Sequence, residues 1–172
     1  MAPAPARAAS LPAPAGWVTD DVASLVAIAL GSNLGDRAHT LDRAVAALRA
    51  ELGDVRVSRY RDTEPVDVPD AQPRYLNAAL TGRSTQGPAA LLARLHSLEV
   101  ACGRSRPYPR SPRTLDLDLI LYGSLVVDTP SLTLPHPRFR DRRFVLEPLA
   151  EIAPDLRDPV TGLTVAELLS RL

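Results

Sequence analysis

Lysine is absent: all 20 basic side chains of this 172-residue chain are arginine. A Walker-type phosphate loop needs its lysine and is excluded. So is Schiff-base chemistry on a lysine amine. Phosphate, if it is handled, must be met by guanidinium groups, alone or with a metal. Cysteine occurs once, at Cys102. The chain therefore forms no internal disulfide and no cysteine-built zinc site, and a reducing, cytoplasmic setting fits. Neither charge sign is in excess, with 20 acidic residues against the 20 arginines. That balance carries no electrostatic footprint of a nucleic-acid or membrane partner. No apolar run approaches the roughly 20 residues of a membrane-spanning helix. No GxSxG element or Cys/His pairing points to a covalent hydrolase.

What is present is ordinary for a folded domain: 45% apolar and 23% charged residues. Residues 1–20, MAPAPARAASLPAPAGWVTD, are Ala/Pro-rich without apolar periodicity. They predict a disordered arm, leaving 21–172 as a single domain. LVAIAL (25–30) reads as a buried strand, and GSNLGD follows as a turn with Asp36 as the N-cap of a helix. That helix carries Leu41, Val45, Leu48 and Leu52 on one face and runs to Gly53, with His39 on its exposed side. VRVSRYR (55–61) predicts a second strand, 62–73 a loop and YLNAALTGRS (75–84) a third strand. Gly87 and Pro88 open a second helix that ends at Gly103. An Arg/Pro loop (104–113) leads into a fourth strand, and SLVVD (124–128) should return beside it as a hairpin. Helical turns are expected near 141–150 and 164–171. The order βαββαββ predicts an α+β sandwich: helices on one face of a mainly antiparallel sheet, the other face left for a site.

The fourth strand, RTLDLDLILYG (113–123), poses a physical problem: two carboxylates in an apolar run. Unpaired carboxylates are costly to bury. Alternation puts Leu115, Leu117 and Leu119 on the core side and Asp116 and Asp118 on the other, with Cα atoms roughly 6–7 Å apart. Two carboxylates at that spacing can share a cation such as Mg²⁺, which also takes water and phosphate oxygens. Arg104, Arg106, Arg110 and Arg113 precede the pair; Arg138, Arg140, Arg142 and Arg143 follow it. Metal-binding carboxylates beside arginines are the parts of phosphoryl transfer. The competing readings are a solvated strand face with ordinary ion pairs, a noncatalytic nucleotide- or pterin-binding module, and a nucleic-acid-binding domain.

Several ordered motifs make a narrower case. IALGSNLGD (28–36), TEPV (63–66), YLNAA (75–79), PRTLDLDLILYG (112–123), LTLPHPR (132–138) and RRFVLEPLAEIAP (142–154) together resemble the 6-hydroxymethyl-7,8-dihydropterin pyrophosphokinase family of folate biosynthesis. The resemblance implies a ferredoxin-like fold and transfer of the β,γ-pyrophosphoryl group of ATP to the pterin hydroxymethyl, releasing AMP. It implies two Mg²⁺ ions on Asp116 and Asp118, with Arg104 and Arg113 completing the catalytic set. ATP would meet Arg104, Arg106, Arg113, Leu119, Thr133, His136 and Arg142. The pterin would lie between Tyr75 and Phe144, against Thr63, Pro65, Val66, Asn77 and Asp116. The resemblance supplies no protein base. ATP and the pterin are the expected partners, with no nucleic acid or membrane, and the chain is expected to be a monomer with no second folate enzyme fused to it. It departs from some members in lacking a Trp in the arginine loop and in having His96 and Pro137 where those have Gln and Tyr.

Overall fold

The computed structural model describes residues 22–68, 71–103 and 111–172. The arm, Arg104, Arg106 and Arg110 lie outside the described residues. The apolar run that predicts the first strand forms β1 (Ser24–Ser32), the middle of a mostly apolar sheet. β1 pairs antiparallel with β4 (Tyr75–Ser84) on one side and with β5 (Asp116–Tyr122) on the other. β2 (Gly53–Val57) and β3 (Arg61–Thr63) both pair with β4, giving a five-stranded sheet whose main order is β2-β4-β1-β5.

Two helices cover one face. α1 (Arg37–Arg49) starts where Asp36 caps it, its carboxylate accepting from His39 N at 3.0 Å. α2 (Pro88–Ala101) begins on Pro88 and gives way to Gly103 at φ +78°, a conformation glycine takes without strain. Leu41, Leu48, Leu91 and Leu95 from these helices meet Val26, Ile28, Leu30, Leu80, Leu117 and Leu119 from the sheet.

Helices also occupy the second face, which corrects the one-sided sandwich expected from element order. α3 (Arg143–Ile152) and α4 (Val165–Leu169) bury Val145, Leu146, Leu149, Val165 and Leu168 against Ala27, Ala79, Ile120 and Leu121. The sheet admits them because this face carries small residues at its centre, Ala27 and Ala79, where a helix can approach closely. A register shift in the β1–β5 ladder adds to it: Ala27 faces Leu121 while Ile28 faces Leu119. Ile120 is the extra residue, so Ile120 and Leu121 both reach the α3 side.

Two further expectations change. The 55–61 strand is broken, because the Ser58 side chain enters the ladder. Ser58 Oγ accepts from Ala79 N and Ser58 N donates to Ala79 O, both at 2.9 Å. The chain rejoins β4 only at Arg61. Residues 124–128 do not return along β5. Gly123 N donates to Leu25 O and Leu125 N to Tyr122 O, closing a tight turn. β6 (Val127–Thr129) then pairs with β7 (Leu132–Leu134) as a separate ribbon.

The C-terminal segment is fastened by Asp158, whose side chain is fully buried. Its carboxylate accepts from Arg140 at 2.7 and 2.8 Å, from Thr161 Oγ1 at 2.6 Å and from Val160 N at 3.1 Å. Burial alone would raise its pKa, but these hydrogen bonds outweigh it and hold the group at about 2. A depressed carboxylate pKa stabilises the fold above its unfolded value of 3.8 and loses that contribution as pH falls toward 2. Acid unfolding should therefore show Asp158→Asn less stable than the parent by about 2 kcal/mol at neutral pH. The gap should close between pH 4 and pH 2; a gap constant across that window would count against the ion pair as its source.

Candidate active site

The site-facing residues come from three adjacent strands in register. Gly31 on β1 stands opposite Asn77 on β4 and Asp116 on β5, and Ala29 opposite Asp118. These small β1 residues leave a hollow between the two aspartates and the amide. A Cβ on Gly31 would meet Asn77 Oδ1 at 3.0 Å, Tyr75 Cδ1 at 3.7 Å and Asp116 Cβ at 4.0 Å. The Asn77 amide has little room to yield, because its nitrogen donates to Thr63 Oγ1 at 2.6 Å. Gly31→Ala is expected to raise the KM of any flat ligand on this floor about tenfold, with little change in Tm. Steady-state kinetics and thermal melts check both parts.

The hollow is a cavity of about 640 Å³, within the range of small-molecule sites. Its walls include Thr63, Val66, Tyr75, Asn77, Arg113, Asp116, Asp118, His136, Arg142 and Phe144. Residues from every segment named in the sequence thus meet in one place. Leu119 and Thr133 instead line a smaller neighbouring cavity with Leu92, His96 and Pro137; Asp118 and His136 face both. Pro65 is half-buried between the lining residues Glu64 and Val66 and is not itself in the wall.

Charge is unevenly compensated. Arg113 Nη1 donates to Asp116 Oδ2 at 2.5 Å. Among the described residues Asp118 has only longer-range cations, Arg142 at 3.8 Å and His136 Nε2 at 4.0 Å. Burial, then the charge of Asp116, pushes the Asp118 carboxyl above its ordinary value. Burial pushes His136 below its own. The His136 Nδ1 accepts from Arg138 N at 3.2 Å, so in the neutral ring the proton sits on Nε2, toward Asp118.

Two organising residues escaped the sequence reading. Asn33, 1% exposed, joins three segments. Its Oδ1 accepts from Arg113 N at 2.7 Å, its own N donates to Arg113 O at 3.0 Å, and its amide nitrogen donates to Gln72 and Pro73. The GSN turn held the signal, an amide placed just after an apolar strand. Asp67 accepts from Arg138 at 2.5 Å and ties the Val66 segment to the His136 segment across the cavity. Nothing local in the sequence pairs residues so far apart.

This constellation has relatives. Residues 27–154 match the family model of 7,8-dihydro-6-hydroxymethylpterin-pyrophosphokinase (HPPK). The chain belongs to that family. It is 41% identical over 147 residues to the 2-amino-4-hydroxy-6-hydroxymethyldihydropteridine pyrophosphokinase of Synechocystis sp., covering 84% of this chain and 74% of that one. The Methylorubrum extorquens protein of the same description is 43% identical over 147 residues, covering 84% and 91%. Pyrophosphokinase activity in folate biosynthesis follows from membership in the HPPK family. The crystal structure of Plasmodium falciparum HPPK-DHPS A437G with SDX-DHP superposes with a TM-score of 0.70 at 12% identity, over 90% of this chain and 46% of that chain. At that identity the likeness shows the fold, the α+β ferredoxin-like sandwich, and this chain spans less than half the length of that structure. Among the described residues, no helix is long and apolar enough to cross a membrane.

Proposed function

We propose that this HPPK-family chain transfers the β,γ-pyrophosphoryl group of ATP to the hydroxymethyl oxygen of 6-hydroxymethyl-7,8-dihydropterin, with Mg²⁺. The oxygen bonds to the β-phosphorus, the bond from that phosphorus to the α,β-bridging oxygen breaks, and AMP leaves. The hydroxyl proton passes to solvent. The observation that carries this reading is the Asp116/Asp118 pair, projecting from β5 into the larger cavity, with Asp118 facing the smaller one as well.

The larger cavity fits the pterin. Tyr75 and Phe144 supply flat apolar walls, and Asn77, fixed by Thr63, offers an oriented amide to the ring edge. Val66 and the backbone beside Pro65 border it. The smaller cavity fits the nucleoside part of ATP, with Leu119 and Thr133 in its wall and His136 at its mouth. Arg113 and Arg142 line the larger cavity beside Asp116 and Asp118, where phosphates would lie, and Arg113 Nε is buried with no hydrogen-bond partner among the described residues. An anionic oxygen would satisfy that N–H. Arg104 and Arg106 keep their proposed phosphate roles on the motif match alone.

The donor set fits Mg²⁺. Two carboxylates share one face, and among the described residues Asp118 lacks close positive compensation. Among the described residues no group of three or more His, Cys, Asp or Glu gathers. That suits a cation that keeps waters and substrate oxygens in its shell. When bound there, Mg²⁺ supplies positive charge against the triphosphate. The protein's own part is positioning: the arginines orient the phosphates and the aromatic slot presents the hydroxymethyl group. We assign a cytoplasmic monomer; bacterial relatives and the single Cys102 support the compartment.

Product analysis tests the proposal. ATP, Mg²⁺ and the hydroxymethyl pterin should give AMP and the pterin diphosphate in equal amounts. ADP as the nucleotide product, or nucleotide turnover independent of pterin, would overturn it.

A further inference from the structure

The segment from His136 to Arg142 carries two of the side chains proposed to meet ATP; His136 N is tied to Ile120 O at 2.9 Å, but the turn between it and Arg142 is held weakly by its own backbone. A short 3-10 turn, Phe139–Asp141, lies between them. The bonds that define it are Phe139 N to His136 O at 3.3 Å, Asp141 N to Arg138 O at 3.4 Å and Arg142 N to Phe139 O at 3.3 Å. All three exceed the usual 2.9–3.0 Å of a well-formed amide bond. No side chain caps the α3 N-terminus that follows, among the described residues. Something outside the turn must fix it.

Two side chains of the turn reach into the body of the protein. Phe139 is fully buried among the α3 and α4 apolar residues. Arg140 lies over the Phe139 ring, 4.9 Å from its centroid, and makes the two-pronged bond to Asp158. Asp158 is held in turn by Thr161 and Val160, and lines neither cavity. A planar guanidinium gripped at two nitrogens fixes orientation as well as position. Arg142, two residues on, has no comparably close anchor of its own among the described residues: Asp118 at 3.8 Å and the Phe144 ring at 5.5 Å.

We infer that Asp158 and Arg140 are positioning residues for pyrophosphoryl transfer, clamping the turn so that Arg142 faces the triphosphate. This rests on the ATP role proposed for Arg142. The pterin side depends on the clamp much less. Phe144 rides on α3, whose far end is fixed separately by Glu151 to Arg59 and Arg61 at 2.9–3.2 Å. Asn77 and Tyr75 are on β4.

The test uses the full chain, with ATP and pterin varied independently and a nonhydrolysable ATP analogue titrated by calorimetry with Mg²⁺. Asp158→Asn and Arg140→Gln should each raise the KM for ATP and the analogue Kd about tenfold. The pterin KM should stay within about twofold, since its anchors are elsewhere. Thr161→Val removes one bond to the same carboxylate but leaves the Arg140 grip. It should lower Tm while leaving both KM values within about twofold. Should Asp158→Asn fail to fold, Arg140→Gln decides, because Asp158 then keeps Thr161 and Val160. A matched rise in both KM values, no rise in either, or Thr161→Val reproducing the ATP defect would overturn the clamp. A parent protein that makes no AMP overturns the pyrophosphokinase reading and the clamp with it; an active parent with unshifted variants overturns the clamp alone.

Discussion

Asp118→Ala is expected to cut kcat about a thousandfold at saturating Mg²⁺ while the protein folds normally. The two halves of that expectation share one cause. The Asp118 carboxyl is pushed above its ordinary value by burial and by the neighbouring Asp116 charge. A carboxylate whose pKa is raised on folding destabilises the folded state once it is ionised at neutral pH. Its removal should leave Tm unchanged or slightly higher. A residue that costs stability and sits at the junction of two cavities is best explained by what it does for the reaction. Asp116→Ala should lose a comparable share of activity, but with a lower Tm, because it strips Arg113 of its 2.5 Å partner. Turnover close to the parent in either variant would count against the carboxylate pair as the catalytic centre. Opposite Tm shifts would separate the two aspartates' structural roles.

Arg113→Ala should lower kcat/KM for ATP by about a hundredfold. The backbone of Arg113 is locked to Asn33 by two hydrogen bonds, 2.7 and 3.0 Å, that do not involve its side chain. Truncation therefore removes the guanidinium without releasing this end of the arginine loop. Arg113→Lys should recover little. An ammonium keeps the charge but cannot bond Asp116 with one nitrogen while presenting the planar Nε–H to a phosphate. Far-UV circular dichroism should show the fold intact in both variants. If lysine restores most of the activity, charge alone is sufficient and the fork geometry is not needed.

The fold class and the same-face placement of the two aspartates were legible in the sequence; several details of the fold were not. Asp116 and Asp118 were readable because strand alternation is local: two residues apart always means the same face. Asp36 as a cap and Gly103 as a helix end were readable for the same reason. The broken 55–61 strand was not, because what interrupts it is a bond from Ser58 to Ala79, across the sheet. Nor was the second helical layer, which depends on small residues of β1 and β4 and an extra residue of β5 lying side by side.

Sequence by itself determined the chemistry available: arginine in place of lysine for phosphate, two same-face carboxylates for a cation, and ordered motifs that name the family. Tertiary structure alone decided which of these groups share a space. It separated Leu119 and Thr133 from Tyr75 and Phe144, with Asp118 and His136 facing both compartments. It made Asn33 a strut and matched Arg140 to Asp158. The physical reason is range. Alternation, capping and turn preference act over a few residues, whereas a buried amide or carboxylate must find its partner wherever packing delivers one.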